Sequence, residues 1–299
     1  MRLDLLAWLM IAGLAMAMAP PPPPSPLITA DELRTLEASI ERSLVAAARW
    51  EGRRGDREIP WDEAEGHLAI VIDDVGRELH LFEQLLGLRY RLSFAVLPGA
   101  VYAPGVQLRL RADRRRHREI LLHLPMEPLD PAAMEPEVAA GEEFLRRGEP
   151  PAGLVAALDR ALARVPAAVG VNNHMGSALS ADRSAMDALM PRLRAEGLFV
   201  LDSLTVSGSE LASAAEAAGV PALRRSVFLD HDPAPEAIEA QLRRAAELSR
   251  RQPTVAIGHP SAALVDVLRR ELPRLDRAGI AIVPLSEIIG RSGAATPRE

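Results

Sequence analysis

From His67 onward the chain alternates short apolar runs with longer amphipathic stretches, and this alternation restricts the fold more than any other feature of the sequence. Such an alternation predicts parallel strands joined by crossover helices. Eight runs have the length and composition of strands: HLAIVID (67–73), RLSFAVL (91–97), REILLHL (118–124), AVGVNN (168–173), LFVLD (198–202), RSVFLD (225–230), TVAIGH (254–259) and IAIVPL (280–285). Eight strands over roughly 225 residues are typical of a (β/α) barrel rather than of a small open sheet. We therefore predict an α/β fold over residues 65–290, a distorted (β/α) barrel of seven or eight strands.

The first 19 residues predict export. Arg2 precedes an apolar run, Leu5 to Ala19, that is short for a bilayer span and typical of the hydrophobic region of a signal peptide. An uncleaved N-terminal anchor is the alternative interpretation. Both predict a periplasmic or envelope-associated protein, and the second adds membrane tethering through the N-terminus.

Residues 20–64 predict a Pro-rich tether followed by a helix. The run PPPPPSP (20–26) favours a stiff extended backbone. Thr29 and Glu32 predict a capping box for a helix that ends near Trp50. At the other end of the chain, residues 291–299 predict a disordered tail.

Composition narrows the chemistry and the partners. The net charge is -6, so nothing favours nucleic acid as a partner. The chain has no cysteine, which excludes disulfides, zinc-thiolate sites and a thiol nucleophile. Any metal ion must therefore be held by histidines and carboxylates.

Polar side chains collect at the ends of the predicted strands. In parallel α/β folds the active site forms at the carboxyl ends of the strands, so residues there are the first candidates for function. The candidates are Asp73, Asp74, His123, Glu127, Asn172, Asn173, His174, Ser177, Asp202, Asp230 and His259. Turns also favour Asp and Asn, which gives each position alone a structural explanation. A shared rim of aspartates and histidines is harder to attribute to turns.

Three of these strand ends have direct chemical interpretations. Two adjacent carboxylates, Asp73 and Asp74, favour a cation or a proton between them at low dielectric; the alternative for Asp74 is the N-cap of the next helix. His123 in LLHLPMEP can ligate a metal, with Glu127 near enough to contribute a carboxylate or a hydrogen bond, although a single histidine at a strand end is usually structural. His259 in GHP can act as a general acid.

Together, IDDVG, FAVLPGA, LLHLPMEP, GVNNHMGS, LDS, RSVFLD and AIGHP resemble the divergent polysaccharide deacetylase family in their order and spacing. These proteins are distant relatives of the metal-dependent carbohydrate esterases that remove N-acetyl groups from chitin and peptidoglycan. The resemblance implies a distorted (β/α) barrel of the glycoside hydrolase and deacetylase type. It also implies that Asp73 is the catalytic base, Asp74 and His123 are metal ligands, and His259 is the general acid.

The sequence departs from the carbohydrate esterases at two places. Their second metal-binding histidine follows the first by four residues, where this chain has Glu127. His174 is the preferred third ligand, with Glu127 second. GVNNHMGS also replaces an Arg-Pro-Pro-Tyr-like segment at the fourth strand.

The resemblance implies a hydrolase that cleaves carbon-nitrogen bonds, a metal-dependent deacetylase acting on N-acetyl or O-acyl groups of a cell-envelope carbohydrate. The cofactor is a divalent ion, with zinc preferred. In this interpretation Asn173 or a backbone N–H assists at the oxyanion, and Asp202 orients a histidine. The alternative is an exported, inactive barrel that binds a glycan or an envelope partner.

Overall fold

The structure is a computed structural model of the 299-residue chain. It describes residues 34–35, 38–39, 56–113, 116, 118–130, 132 and 141–294. The chain divides into two compact units, Met1–Ala46 and Ala47–Glu299. The predicted signal peptide or anchor, the Pro-rich run and residues 295–299 of the predicted tail lie outside the described residues. Of the predicted N-terminal helix, residues 34, 35, 38 and 39 are described, and all four are helical.

Nine parallel strands form one sheet in the described part of the second unit. They are β1 Gly66–Val75, β2 Ser93–Val96, β3 Glu119–Met126, β4 Gly170–Met175, β5 Phe199–Asp202, β6 Ala222–Arg224, β7 Val227–Phe228, β8 Thr254–Gly258 and β9 Ile280–Ile282. The order across the sheet is β6-β5-β4-β3-β2-β1-β8-β7, and β9 pairs with the start of β1. Each predicted strand contains or overlaps an observed one.

The two ends of this order are close together in the chain. β6 ends at Arg224 and β7 begins at Val227, so their terminal Cα atoms lie at most about 11 Å apart. Among the described residues, β6 pairs only with β5, and β7 only with β8. The sheet therefore curls round until its edges approach without joining, which confirms the predicted distorted barrel. β6 is the strand that the sequence did not predict, because its three residues carry no apolar run.

Eight α-helices alternate with the strands in the described part of this unit. They are α1 His80–Leu86, α2 Ala103–Ala112, α3 Pro151–Arg164, α4 Arg183–Ala195, α5 Leu211–Ala217, α6 Pro235–Ser249, α7 Ala262–Arg277 and α8 Leu285–Ala294, with short 3-10 turns at Trp61–Glu63 and Leu179–Ala181. The last helix extends into residues 291–294, within the predicted tail. Among the described residues, no helix is both long enough and apolar enough to cross a membrane.

The strands are buried on both faces, which explains their unbroken apolar runs. Ile70 and Ile72 of β1 belong to the larger apolar cluster, which includes most of the helices' buried residues. Ala69 and Val71, which alternate with them, belong to a second cluster made largely of strand residues. We call the face of the second cluster the inner face of the barrel. This period of two decides which polar residues can meet at the strand ends.

The long connection between β3 and α3 passes close to the loop after β2. A β-carbon built on Gly99 would lie 1.9 Å from the carbonyl oxygen of Gly141, so only glycine fits there. The N–H of Gly99 also donates to Oε2 of Glu142 at 3.2 Å. This approach fixes part of the connection over the carboxyl ends of the strands.

We expect Gly99→Ala to destabilise the fold by about 1–3 kcal/mol, because the added methyl group forces two backbone segments apart. Gly208→Ala is the matched control, since a β-carbon there meets nothing within 4 Å. Chemical denaturation of both variants checks the prediction. Equal stabilities would show that the approach at Gly99 is relaxed in solution.

Candidate metal centre

Strand parity brings six of the predicted site residues to one place. Counted in steps of two from the residues of the inner apolar cluster, Asp73, His123 and His259 follow Val71, Leu121 and Ile257 on the inner face. Asn172 pairs in register with His123, and His174 lies two residues further along β4. Asp230 follows Phe228, which packs against the inner cluster.

In a regular strand the side chain of Asp74 would point to the outer face, but a local backbone reversal turns it towards the same centre. Adjacent strand residues point to opposite faces, but Asp74 has φ 56°. This left-handed conformation is uncommon except for Gly, Asn and Asp. The pairing of β1 with β2 shifts register between Ile72 and Val75, where the alternation breaks. Both carboxylates consequently face His123: its Nε2 lies 3.8 Å from Oδ2 of Asp73 and 3.2 Å from Oδ1 of Asp74.

Asp74, His123 and His174 form a compact triangle of potential ligands. Oδ1 of Asp74 lies 2.9 Å from Nδ1 of His174, and Nε2 of His123 lies 3.2 Å from both atoms. Tetrahedral zinc with ligands at about 2.0–2.1 Å has edges of about 3.3–3.4 Å. The triangle therefore needs to widen only slightly to accept an ion of that size. A carboxylate with two imidazoles leaves further coordination positions open, as in catalytic zinc sites.

Asn172 joins the two halves of the site. Its Nδ2 donates to Oδ1 of Asp73 at 2.9 Å, which leaves its Oδ1 to accept from Nδ1 of His123 at 2.9 Å. Because Nδ1 of His123 carries a proton in this bond, its Nε2 is the nitrogen with a lone pair for a metal. One buried amide thus sets the direction of a carboxylate and of a ligand.

Arg77 closes the other side of the triangle. It lies three residues after Asp74 and donates to Oδ2 of that carboxylate at 3.0 Å. Its second terminal nitrogen lies 3.3 Å from Nε2 of His174. Since a guanidinium only donates, Nε2 of His174 must accept in this contact.

The electrostatics of the triangle keep Asp74 ionised. Burial acts to raise the pKa of Asp74, but the imidazoles of His123 and His174, which lie 3.2 and 2.9 Å from its Oδ1, outweigh burial and hold the pKa well below its usual range. Burial acts to lower the pKa of His123, whereas the charges of Asp73 and Asp74 raise it overall. Burial lowers the pKa of His174, and the charges of His123 and Arg77 act in the same direction.

His259 lies beside this centre on the neighbouring strand. Ile72 pairs with Gly258, which places His259 level with Asp73. Asp230 accepts from the N–H of His259 at 2.7 Å and lies 3.3 Å from its Nδ1. Burial opposes protonation, but the hydrogen bond to Asp230 and the charges of Asp73 and Asp74 raise the pKa of His259 to about 9.

Four predicted site residues have other partners. The carboxylate of Glu127 accepts from the N–H of Arg147 at 2.6 Å, and Ser177 accepts from the N–H of Leu129 at 2.9 Å. Neither belongs to the group of candidate ligands found among the described residues. Glu127 and Ser177 instead hold the connection after β3.

Asn173 and Asp202 lie on the outer face by parity. The amide of Asn173 accepts from the N–H of Ser203 and donates to the carbonyl of Met175 at 2.8 Å, so it is occupied by loops. Asp202 accepts from the N–H groups of Leu204 and Ala212. The sequence predicted that Asn173 assists at the oxyanion and that Asp202 orients a histidine. The structure shows neither contact, because both side chains form hydrogen bonds with backbone groups of loops and helices instead.

Sequence reasoning missed two charged residues of the site, Arg77 and Glu142. Burial raises the pKa of Glu142, against the Gly99 hydrogen bond and the charges of Arg77 and His123, so this carboxyl faces the same centre. The spacing of Arg77 from Asp74 offered a signal, because residues three apart meet in a turn or helix. No local pattern marks Glu142, which the long connection brings in.

A model of the divergent polysaccharide deacetylase family matches residues 70–289, which include all of these site residues. The chain belongs to this family. The match confirms the resemblance seen in the strand-end motifs.

Two proteins of similar sequence align with more than two thirds of this chain. The protein YibQ of Escherichia coli K12, described as uncharacterised, is 36% identical over 230 residues, which are 75% of this chain and 67% of YibQ. An uncharacterised protein of Haemophilus influenzae Rd is 34% identical over 213 residues, 71% of this chain and 73% of the relative. The crystal structure of ATU2773 from Agrobacterium tumefaciens C58, also uncharacterised, has a TM-score of 0.69 at 23% identity and covers 78% of this chain and 93% of its own. This likeness supports the fold.

We expect the deacetylase-family chain to bind one equivalent of a divalent ion through the triangle. His174→Gln should weaken binding more than about 100-fold. Loss of a residue that only hydrogen-bonds to a metal ligand costs about 10–100-fold in affinity, and loss of the ligand itself should cost more. Metal content of purified protein and competition with a chelator check this. His80→Gln on the exposed surface of α1 is the control; equal metal binding by His174→Gln and wild type would exclude His174 as a ligand.

We expect His259 to titrate near pH 9 and Asp230→Asn to bring its midpoint down towards the ordinary value of about 6.5. A pKa raised in the folded state stabilises the protein below the unfolded-state pKa, and this contribution is lost as the pH rises through about 9. NMR titration of the histidine ring protons measures the midpoint. Asp232→Asn, two residues further along, is the control, and an unshifted midpoint in Asp230→Asn would contradict the pairing.

Proposed function

We propose that this chain is a metal-dependent deacetylase that hydrolyses N-acetyl or O-acyl groups on a cell-envelope carbohydrate. The observation that carries the proposal is the convergence of a carboxylate-histidine triangle, a separate carboxylate and a histidine paired with Asp230 on one end of the barrel. Asp74, His123 and His174 would hold the ion, Asp73 would be the base and His259 the acid. Membership of the deacetylase family supports a carbohydrate as substrate.

The ligand set favours zinc. Two imidazoles and a carboxylate are borderline donors suited to Zn²⁺, and no thiolate is available to select softer ions. A bound divalent ion supplies Lewis acidity, which polarises an acyl carbonyl and makes water easier to deprotonate.

In this proposal Asp73 accepts the proton of the attacking water. Asn172 donates to Oδ1 and holds the carboxylate in one orientation, while Oδ2 faces the triangle. The side chain is almost fully buried, so it meets water only at the centre itself. A base held in this way contributes through position as well as through proton affinity.

In this proposal His259 protonates the departing nitrogen or oxygen. With a pKa of about 9 it carries its proton at neutral pH. Its side chain is 37% exposed, in contrast to the buried histidines of the triangle, so it faces the side from which a substrate enters. Asp230 holds Nδ1, which leaves Nε2 to deliver the proton.

The proposal includes export. The first 19 residues favour a signal peptide or an anchor, either of which would bring the barrel to the compartment that holds envelope glycans. Fusion of the N-terminal segment to a reporter that is active only after export tests this part independently of catalysis.

We expect Asp73→Asn to lower hydrolysis by about 10²–10⁴-fold while the protein retains its metal, because the general base is lost and the ligands remain. Release of acetate from N-acetylated and O-acetylated envelope oligosaccharides measures the activity, with metal content determined on the same samples. Asp187→Asn, on the exposed surface of α4, is the matched control.

A different outcome would identify the alternative function. If wild-type protein releases no acyl group but binds the oligosaccharides, and Asp73→Asn binds them equally, the barrel is a glycan-binding protein. If Asp73→Asn loses the metal as well, Asp73 is a ligand rather than the base.

A further inference from the structure

We propose that Arg77 and a divalent ion compete for His174, so that Arg77 sets the metal affinity of the centre. This inference rests on the proposed metal centre and deepens it. It assigns a role to a residue that none of the strand-end motifs includes.

The guanidinium of Arg77 spans two members of the triangle. It lies 3.0 Å from Oδ2 of Asp74 and 3.3 Å from Nε2 of His174. The contact with Asp74 leaves Oδ1, the oxygen that faces both histidines, available to an ion. The conflict with metal binding is therefore confined to His174.

The proton positions on His174 make the two contacts mutually exclusive. When Arg77 donates to Nε2, the proton of the neutral ring is on Nδ1, which faces Oδ1 of Asp74. An ion bound at Nδ1 requires the opposite tautomer, whose Nε2–H points at the N–H groups of Arg77. An ion bound at Nε2 displaces Arg77 directly. Either way, ligation by His174 breaks its hydrogen bond with Arg77.

Charge works in the same direction. Asp73 and Asp74 place two carboxylates within 3.8 Å of one imidazole nitrogen, and Arg77 supplies a cation beside them. A divalent ion would supply two positive charges beside the same two carboxylates, so the guanidinium would no longer be required to balance their charge. Arg77 is 31% exposed, so it has room to turn outwards, where its donors would face an incoming substrate.

Two variants separate the hydrogen bond from the charge. Arg77→Met removes both the two N–H donors of the guanidinium and its positive charge. Arg77→Lys keeps the charge but cannot donate to Asp74 and His174 from one planar group. We expect zinc to bind about 10-fold more tightly to Arg77→Lys, and more tightly still to Arg77→Met. The full chain, stripped of metal with a chelator, is titrated with Zn²⁺ against a competing chelator. Arg269→Met, which removes an exposed arginine also paired with an aspartate three residues away, is the control.

A spectroscopic measurement reports the proton directly. Nitrogen-15 NMR of the ring of His174 should show the Nδ1–H tautomer in stripped wild-type protein. Added Zn²⁺ should shift the signal of the ring nitrogen that ligates it, and ligation at Nδ1 should also move the ring proton to Nε2. In stripped Arg77→Met the Nε2–H tautomer should become populated, because nothing donates to that nitrogen.

The outcomes distinguish this inference from the proposed function. Equal zinc affinity in wild type and Arg77→Lys, with an unchanged tautomer of His174, would overturn competition while leaving the metal centre intact. Tighter binding only in Arg77→Met would leave simple charge repulsion as the explanation and would also overturn it. Absence of zinc binding in wild type and in both variants would overturn the metal centre itself.

Discussion

The site depends on the backbone of Asp74. A regular strand end would direct only one of two adjacent carboxylates inward, and the other would pack among the helices. The left-handed conformation at Asp74 turns its carboxylate back, so that both Asp73 and Asp74 approach the Nε2 of His123. Aspartate tolerates this conformation better than most residues, because its short side chain bonds locally. A base and a ligand can then come from consecutive residues.

The second constraint is the neutral amide of Asn172, which lies between the carboxylate of Asp73 and the imidazole of His123. A cation at the position of Asn172 would pair with Asp73 but would leave Nδ1 of His123 without an acceptor. An amide offers a donor to one side and an acceptor to the other, and both bonds are 2.9 Å long. Asn172 is fully buried, so its partners have no water to replace a lost bond.

Much of the fold and part of the site could be predicted from the sequence for one reason: the strands are buried on both faces. Apolar runs mark eight of the nine strands, including the two-residue β7 within RSVFLD, whereas the three-residue β6 has no such signal. The same period of two, applied to the strand ends, separates Asn172 from Asn173 and sets Asp202 apart from Asp230. The reversal at Asp74 and the partners of Glu127 could not be predicted, since both depend on tertiary contacts rather than on local pattern.

The connection after β3 brings further side chains to the candidate metal centre. Its anchors are the carboxylate of Glu127 on the backbone of Arg147, and the N–H of Gly99 on Glu142. Phe144 of this connection lies with its ring 6.1 Å from that of His174. In the described part of this connection, one aromatic ring and one acidic group therefore lie beside the triangle. Under the proposed function these two groups would contact the sugar unit that carries the acyl group, and the aromatic content of 3% favours a small pocket over a long aromatic-lined groove.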